Sequence, residues 1–532
     1  MTQMEYIAPI RIEKIELKNF KGVKNGVVEF NCLKNSIEKD TVSDILGIYG
    51  QNGSGKTTLL EAINIARLAM MGEEIPDNKY KNIISQNAEK AEMNITFQVK
   101  NYDESFYHVE YHFSLEKKRF SVKGKSDSKS VGLDASGVLA GTAVTAASLA
   151  GAPIIAPVVA IAATTSAAGI VANKLAKKSK GNRDQSNGAR IITKLVLSDE
   201  VLNIYGNVFG TEVRFGPLFD TRLPEDDTET VFLPKAKHKL FFPNETALAL
   251  KELHNYKTRY RYNSKSFIFC DEVSQMFIDQ KEKNDYANII LHLKAYALEK
   301  LKVLDTKIIG SSKDELIPIF LSDRTVKIRR VDSSLSLDKE GFDELKEEFK
   351  RLNVVLKQIV PGLQLELHSK GKPSDDAIFT VTIYTDRDGI KIPLGDESTG
   401  IIRIVTVSGL FSYAFANESV TVAIDEIDAG IYEYLLGELL LLFEEYGAGQ
   451  LIFTSHNLRP MEVLNRKFIY FTTTNSEHRY LKPKSIRKEN NLRDVYLREI
   501  INGGQDEDLY ESAKHGKIAA ALQKAGEIVG EE

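Results

Sequence analysis

The feature that most constrains this 532-residue chain is a glycine-rich loop that separates two segments of regular pattern. Residues 45–49 are an apolar run typical of a buried strand, and residues 59–66 carry apolar side chains at helical spacing. Between them, residues 50–57 read GQNGSGKT and match the pattern GxxxxGK[ST] completely. The order strand, loop, helix predicts a loop whose backbone N–H groups surround the phosphates of a nucleotide at the start of a helix.

The residue types in this loop suit a nucleoside triphosphate. The glycines let the backbone curl around a β-phosphate, and Lys56 supplies a positive charge to the β- and γ-phosphates. Thr57 offers a hydroxyl group to Mg²⁺. The predicted cofactors are therefore ATP and Mg²⁺, and the predicted ATP-binding residues of the loop are Gly50, Asn52, Gly53, Ser54, Gly55, Lys56, Thr57 and Thr58.

The bulk composition is that of a globular protein with two or more structural units, at 42% hydrophobic and 27% charged residues. A net charge of −4 excludes a strongly basic nucleic-acid coat protein but is compatible with local basic patches. Two cysteines, Cys32 and Cys270, are too few for a disulfide framework or a zinc site. The first residues lack the apolar core of a signal peptide, so we predict a cytoplasmic protein.

A second group of candidate site residues follows near the end of the chain. Residues 418–430 read ESVTVAIDEIDAG, a β-branched strand that ends in Asp425 and Glu426. A helical segment and a second apolar strand, QLIFTSH, then end in His456. We predict that Asp425 holds Mg²⁺ through water, that Glu426 is the general base for the attacking water and that His456 senses the γ-phosphate. An isolated Asp-Glu pair is more often a helix cap, and the interpretation depends on this order of elements.

These motifs resemble those of ABC-type ATPases, in the branch that contains RecF, SMC and OLD-like proteins. The resemblance covers roughly residues 10–120 and 390–500, and its motifs are RIEKIELKNFKG at 11–22, the glycine loop and the strand–helix–strand order at 418–456. It implies an α/β fold with an ATPase head, which has a mixed sheet and antiparallel N-terminal strands. The predicted architecture adds a helical lid and an Ala/Gly-rich apolar helical insert. The alternation in 11–31 itself predicts an antiparallel hairpin with its turn at Asn25-Gly26.

The resemblance also explains the segment GDESTGIIRIV at 395–405, which has no neighbouring His or Lys to make Ser398 a nucleophile. ABC ATPases keep a signature motif at this place, with a Ser and a Gly at a helix N-terminus. Ser398 and Gly400 match these two residues, which implies that they bind the γ-phosphate held by a second protomer. The implied assembly is a homodimer, or a higher oligomer, with two ATP molecules between protomers. The alternative is an N-capped core helix that touches no ligand.

Further residues are assigned by the same resemblance. The basic residue after Asn-Phe is Lys21, which would approach the nucleotide, although a solvated turn lysine is an equal alternative. The glutamine that completes the Mg²⁺ site is Gln86 or Gln98, with Gln86 preferred. Asp428 matches an inter-protomer aspartate, but Tyr432 stands where OLD-like relatives often have a His.

The region between the two halves is predicted to be a lid or arm. Residues 284–304 and 342–359 have helical patterns, and neither sustains heptads long enough for an extended coiled coil. The segment HNYKTRYRYNSK at 254–265 places Lys257, Arg259 and Arg261 among tyrosines, which suits nucleic-acid contact or an ordinary exposed strand.

One segment departs from the family pattern. Residues 135–173 contain no charged residue, are rich in Ala and have basic flanks. Two helices of about 17 residues would each span roughly 26 Å, slightly less than a hydrocarbon core of about 30 Å. The segment therefore predicts either association with the inner membrane or an insert that is packed or disordered outside a membrane.

The predicted domains are an ATPase N-terminal lobe at 1–120, the insert at 121–185, a lid or arm at 186–390 that is helical with some strands, an ATPase C-terminal lobe at 391–483 and a helical tail at 484–532. The resemblance to ATPase subunits of Septu and retron-linked systems implies a nucleotide-gated sensor or scaffold of anti-phage defence. Because no nuclease motif is present in the sequence, a separate effector protein is the implied partner. The alternatives are a membrane-perturbing effector that uses residues 135–173 and a RecF-like DNA repair ATPase.

Overall fold

The structure is a computed structural model of the chain. It describes residues 9–30, 44–101, 103–122, 190–222, 248–249, 251–253, 255–256, 263–278, 285–305, 316–320, 325–369, 378–483, 491–502, 505–511 and 515–529.

The helices and strands are numbered in chain order. The strands are β1 Ile10–Phe20, β2 Val23–Glu29, β3 Asp44–Tyr49, β4 Lys90–Lys100, β5 Phe106–Val122, β6 Arg190–Val208, β7 Thr211–Asp220, β8 Leu301–Leu304, β9 Leu316–Phe320, β10 Thr325–Arg329, β11 Ser334–Leu337, β12 Leu363–Ser369, β13 Phe379–Arg387, β14 Ile390–Pro393, β15 Thr421–Ile424, β16 Gln450–Thr454, β17 Ile469–Thr472 and β18 Tyr480–Leu481. The helices are α1 Lys56–Met71, α2 Asp77–Tyr80, α3 Asp271–Ile278, α4 Asp285–Ala295, α5 Lys339–Ile359, α6 Thr399–Phe415, α7 Glu433–Tyr446, α8 Arg459–Val463, α9 Leu492–Asn502 and α10 His515–Val529, with a π-helical turn at Tyr296–Lys300.

The first sheet carries the predicted site. Its strand order is β18-β17-β3-β16-β15-β8, and every neighbouring pair is parallel except β17 with β18. The strands β3, β15 and β16 are fully buried, which explains their continuous apolar sequences. Because the carboxyl ends of parallel strands meet at one edge, the residues that follow β3, β15 and β16 lie together there.

The second sheet is antiparallel and includes the predicted N-terminal hairpin. Its order is β2-β1-β4-β5-β6-β7, and β1 pairs antiparallel with β2. The predicted turn at Asn25-Gly26 is wrong, because Phe20 pairs with Val23 and the turn is Lys21-Gly22. The left-handed φ of 49° at Lys21 makes this tight turn without an Asn-Gly pair. Asn25 and Gly26 lie inside β2, where Tyr480 packs against Gly26.

The third sheet occupies part of the predicted lid. Its order is β12-β13-β11-β10-β9, with β14 paired to β13, and the amphipathic helix α5 packs on it. The described part of residues 186–390 contains the strands β6–β13 and the start of β14, together with the helices α3, α4 and α5. The predicted helix at 342–359 is confirmed by α5, but the one at 284–304 ends early, because residues 301–304 form β8 beside β15.

Helix α6 joins two hydrophobic cores. Ile402 and Val405 belong to the core beneath the third sheet, whereas Val407, Leu410 and Phe411 belong to the core beside β15 and β16. A helix that is buried on opposite sides must be apolar nearly all round, which accounts for the sequence IIRIVTVSGLFSYAF.

The chain divides into two units, one formed by residues 1–118 and 194–532 and the other by residues 119–193. In the second unit the structure describes only the adjoining ends of β5 and β6, at 119–122 and 190–193. The apolar segment 135–173 lies outside the described residues. Among the described helices, none combines the length and apolar character that a transmembrane span requires.

Candidate functional site

The glycine loop has the backbone that its sequence predicts. Gly50 has a φ of 156°, and a Cβ atom there would lie 1.7 Å from Oγ1 of Thr472, so only glycine fits. Asn52 and Gly53 are exposed at the tip of the loop, while Ser54 and Thr58 are buried. The Ser54 hydroxyl contacts that of Thr472 on β17 and donates to the carbonyl oxygen of Gln51 at 2.7 Å. The loop is therefore anchored to the neighbouring strand and leaves its tip open.

Lys56 begins α1 and points back over the loop. Its Nζ atom donates to the carbonyl oxygens of Gly50 at 2.7 Å and Gln51 at 3.0 Å. Burial lowers the pKa of Lys56, and the nearby carboxylates of Asp425 and Glu426 oppose that effect. The ammonium group thus lies in the concavity of the loop, where a phosphate would be the stronger acceptor.

The predicted Mg²⁺ ligands meet at the carboxyl edge of the first sheet. Thr57 Oγ1 lies 3.3 Å from Asp425 Oδ1 and donates to it. The same carboxylate oxygen accepts a hydrogen bond of 2.6 Å from Thr454 Oγ1, at the end of β16. Asp425 is only 2% exposed, and these two hydroxyl groups hold its orientation.

Glu426 follows Asp425 in a strained backbone conformation. Its φ is 46°, in the left-handed region that residues other than glycine rarely occupy. Its N–H donates to Thr454 Oγ1 at 2.8 Å, and its carbonyl oxygen accepts from Nη2 of Arg403 at 2.9 Å. The side chain is partly exposed. The surrounding structure therefore holds the Glu426 backbone on both sides and leaves its carboxylate accessible to water.

Asp428 connects this loop to the histidine at the end of β16. Its carboxylate accepts hydrogen bonds from the backbone N–H of His456 at 3.2 Å and of Asn457 at 3.1 Å. The His456 side chain is exposed beside this turn. Within its own chain, the Asp428 carboxylate therefore orients the His456 turn.

The N-terminal hairpin lies next to the glycine loop. A Cβ atom on Gly22 would be 4.0 Å from the carbonyl oxygen of Gly53. Lys21, partly exposed, forms an ion pair with Glu61 on α1. The backbone N–H of Lys21 donates to Ile83 at 2.7 Å, which links the hairpin to the turn that contains Gln86.

The two candidate glutamines differ in position. Gln86 is exposed in that turn and lies with Lys21 around one surface cavity. Gln98 is buried on β4, where its backbone pairs with those of Arg11 and His108. The structure thus brings Gln86, and not Gln98, to the Lys21 turn.

The signature segment forms the exposed start of α6. Ser398 is the N-cap residue, and its Oγ accepts a hydrogen bond from the Ile401 N–H at 3.2 Å. The side chains of Ser398 and Thr399 are exposed. Glu397, just before them, accepts from Thr385 Oγ1 at 2.6 Å and so fixes the entry of the helix to β13. The predicted basic residues Lys257, Arg259 and Arg261 lie outside the described residues.

Several residues of the site are not predicted from the sequence. They are Thr454 and Thr472 at the ends of β16 and β17, Arg403 on α6 and Arg479 before β18. Thr454 could have been predicted from its position, because it lies two residues before His456 at the end of the strand next to that of Asp425. Arg403 gave a weaker signal, as the single charge in a helix of otherwise apolar and small polar residues.

Known proteins match parts of this chain. The family model described as AAA domain (AAA_23) matches residues 14–359. Over 118 residues the chain is 32% identical to the SbcC component of the nuclease SbcCD from Clostridium acetobutylicum, a match that covers 22% of this chain and 9% of that protein.

Two solved structures match most of the chain with TM-scores below 0.5. The SMC head bound to the C-terminal winged-helix domain of ScpA gives a TM-score of 0.37 at 14% identity, covering 88% of this chain and 98% of that one. The structure of RecF with ATP gives a TM-score of 0.30 at 12% identity, covering 84% of this chain and 94% of that one. The family model spans the glycine loop and well over half of the chain. The chain therefore belongs to the AAA domain family of ATPases.

Proposed function

We propose that this chain binds ATP with Mg²⁺ and hydrolyses it as an ABC-type ATPase, in a sandwich of two protomers. The observation that carries the proposal is the contact between Thr57 and Asp425, next to a glycine loop whose carbonyl oxygens bind the Lys56 ammonium group. The sequence separates these two residues by 368 positions, and the fold brings their oxygen atoms within 3.3 Å.

The donor set fits Mg²⁺. A hydroxyl and a carboxylate oxygen are ligands that Mg²⁺ prefers, and neighbouring ligands of an octahedral ion with bonds of about 2.0–2.1 Å lie about 2.9 Å apart. Thr57 and Asp425 would hold the ion, Asp425 directly or through water, with Gln86 as a further ligand. The ion would neutralise charge on the β- and γ-phosphates.

Glu426 and His456 are the proposed catalytic residues. Glu426 accepts a proton from the attacking water, and its strained backbone keeps its partly exposed carboxylate at the edge of the sheet. His456 contacts the γ-phosphate from the turn that Asp428 orients. Lys56 and the N–H groups of the loop stabilise negative charge as the β–γ bond breaks.

The second half of the site is proposed to come from another copy of the chain. Ser398 and Gly400 form the exposed start of a 17-residue helix, whose N-terminus attracts negative charge. Binding of ATP joins this helix end to the γ-phosphate of the partner, and hydrolysis removes that contact.

The test is substitution of Glu426 by Gln. We expect hydrolysis to fall by about 10²- to 10⁴-fold, since the general base is lost. Nucleotide binding is retained, so ATP traps a dimer that light scattering detects. Glu445→Gln, at an exposed position of α7, is the matched control and should behave like the wild type. A Glu426→Gln protein that binds ATP yet stays monomeric contradicts the sandwich.

For the biological role, we propose a nucleotide-gated sensor of anti-phage defence that acts through a separate effector. Support comes from the motif resemblance alone. The test is phage challenge of cells that carry this gene with its neighbouring genes, with Lys56→Ala as the inactive control. Equal protection by both versions contradicts the role.

The match to the SbcCD component favours one other candidate, an ATPase of DNA repair. ATP hydrolysis that rises severalfold with linear DNA, in the absence of any partner protein, would support it over the defence role.

A further inference from the structure

The signature helix contains a buried charge that the site chemistry does not use. Arg403 lies five residues after Ser398 on α6 and is only 2% exposed. Burial lowers its pKa to about 10, so the guanidinium is still charged at neutral pH. A buried charge is costly unless hydrogen bonds compensate it, so its contacts are informative.

Those contacts are with the backbone of the two acidic residues of the site. Nη2 of Arg403 donates to the carbonyl oxygen of Asp425 at 2.6 Å and to that of Glu426 at 2.9 Å. Nε and Nη1 have no hydrogen-bond partner within the part of the chain that the structure describes. One nitrogen thus makes both bonds, and two buried donors are left over, which is uncommon in folded proteins.

A second contact joins the same two segments. A Cβ atom on Gly400 would lie 3.0 Å from the carbonyl oxygen of Gly430, and one on Gly430 would lie 3.1 Å from the Cα of Gly400. The start of α6 therefore rests directly on the loop that follows Glu426. Backbones packed this closely cannot slide independently.

From these contacts we propose that Arg403 is a positioning residue that couples the two ATP sites of the sandwich. This inference rests on the proposed function. In the sandwich, Ser398 of one chain touches the nucleotide held by the partner, while Glu426 of that chain acts on its own nucleotide. Arg403 connects these two residues within one chain, so movement of α6 toward one γ-phosphate shifts the carbonyl groups that hold the general base at the other.

The state of the guanidinium suits this role. The Glu426 backbone is strained, so its conformation depends on the groups that hold it, one of which is Arg403. The two unused donors allow the guanidinium to exchange acceptors when α6 moves. Each protomer thereby adjusts its general base to the occupancy of the opposite site.

The first test compares Arg403→Gln and Arg403→Lys with the wild type. In Arg403→Gln, kcat should fall by about 10- to 100-fold, as for a lost hydrogen bond from a charged donor. The affinity measured with labelled ATP should change less than about twofold. Arg403→Lys, which keeps a charged donor, should recover part of kcat. Arg214→Gln, at an exposed position of β7, is the control.

A second test leaves Arg403 intact and so avoids the risk of misfolding. A mixed dimer is made from one Ser398→Arg protomer and one Lys56→Ala protomer, carrying different tags. One composite site then has a wild-type glycine loop, general base and signature, while the other site is dead. Independent sites predict half of the wild-type activity per dimer. Coupling through α6 predicts several-fold less than half, because the functional Glu426 belongs to the chain whose signature binds nothing.

The outcomes separate the two proposals. Half activity from the mixed dimer, or a kcat of Arg403→Gln equal to that of the wild type, refutes the coupling but leaves the sandwich. A wild-type protein that neither hydrolyses ATP nor dimerises with it refutes the proposed function instead.

Discussion

The two halves of the proposed ATP site differ in what builds them. Lys56, Thr57 and Asp425 meet at one edge of a parallel sheet, where buried strands and two hydroxyl groups fix them within a single chain. Ser398 and Gly400 stand at an exposed helix end, where Ser398 caps only its own helix. The first half is complete when the chain folds. In the proposed sandwich, the second half acquires its phosphate contact only when another protomer binds, so it would report assembly.

The largest effect is expected in the half that one chain completes. Substitution of Lys56 by Ala removes the charge inside the loop, and both nucleotide binding and hydrolysis should fall by at least about 100-fold. Titration with labelled ATP and a phosphate-release assay measure the two quantities. Lys24→Ala, at an exposed position of β2, is the matched control. Undiminished ATP binding by Lys56→Ala would place the nucleotide elsewhere.

The next largest effect is expected for a substitution at Ser398, which should impair the second half of the site and leave the first half intact. Ser398→Arg blocks the helix end, so hydrolysis and ATP-dependent dimerisation should fall by about 10- to 100-fold, as when a hydrogen bond to a charged group is lost. ATP binding by the monomer should not change, since the loop, Thr57 and Asp425 are untouched. Light scattering measures dimerisation and ATP titration measures binding by the monomer, both on one sample. A loss of monomer binding would mean that Ser398 belongs to the same half as Lys56.

A smaller effect tests the hydroxyl that organises the first half. Thr454→Val removes the donor to Asp425 and the acceptor for the Glu426 N–H, and we expect a loss of about 1–3 kcal/mol in the free energy of unfolding. Hydrolysis should fall by about tenfold because Asp425 is no longer oriented. Thr454→Ser keeps the hydroxyl and is the control. Denaturant titration and steady-state kinetics measure both, and equal behaviour of the two variants would contradict this role for the hydroxyl.

The smallest expected effect tests the contact between the start of α6 and the loop that contains Gly430. Gly430 and Gly210 both have left-handed φ values, of 76° and 82°. Replacement by Ala at either position should cost about 1–2 kcal/mol for the backbone. Only Gly430 has a close neighbour, Gly400, whereas Gly210 has open space. We therefore expect the free energy of unfolding to fall by about 1 kcal/mol more in Gly430→Ala than in Gly210→Ala, as measured by denaturant titration. Equal losses would mean that the loop and α6 move apart freely.

Much of the site could be predicted because its motifs are local. The glycine loop and the apolar strands β3, β15 and β16 are recognisable from residue spacing alone. The errors arose where tertiary contacts outweigh local preference. Asn25-Gly26 is a favourable turn pair, yet it lies within β2, since the pairing of Phe20 with Val23 fixes the register. Residues 301–304 continue a helical pattern, yet they form an edge strand because β15 offers a parallel partner.

The sequence by itself determined the chemistry that we propose for this protein, because a phosphate loop, a carboxylate pair and a terminal histidine need only fixed residue types at the ends of buried strands. Only the tertiary structure decided how the parts are connected. The contacts of Thr454 with Asp425, of Asp428 with the His456 turn and of Arg403 with the Glu426 carbonyl each join different segments of the chain. Such contacts leave no periodic pattern in the sequence, because they depend on the order of strands in a sheet and on the packing of one helix against a loop.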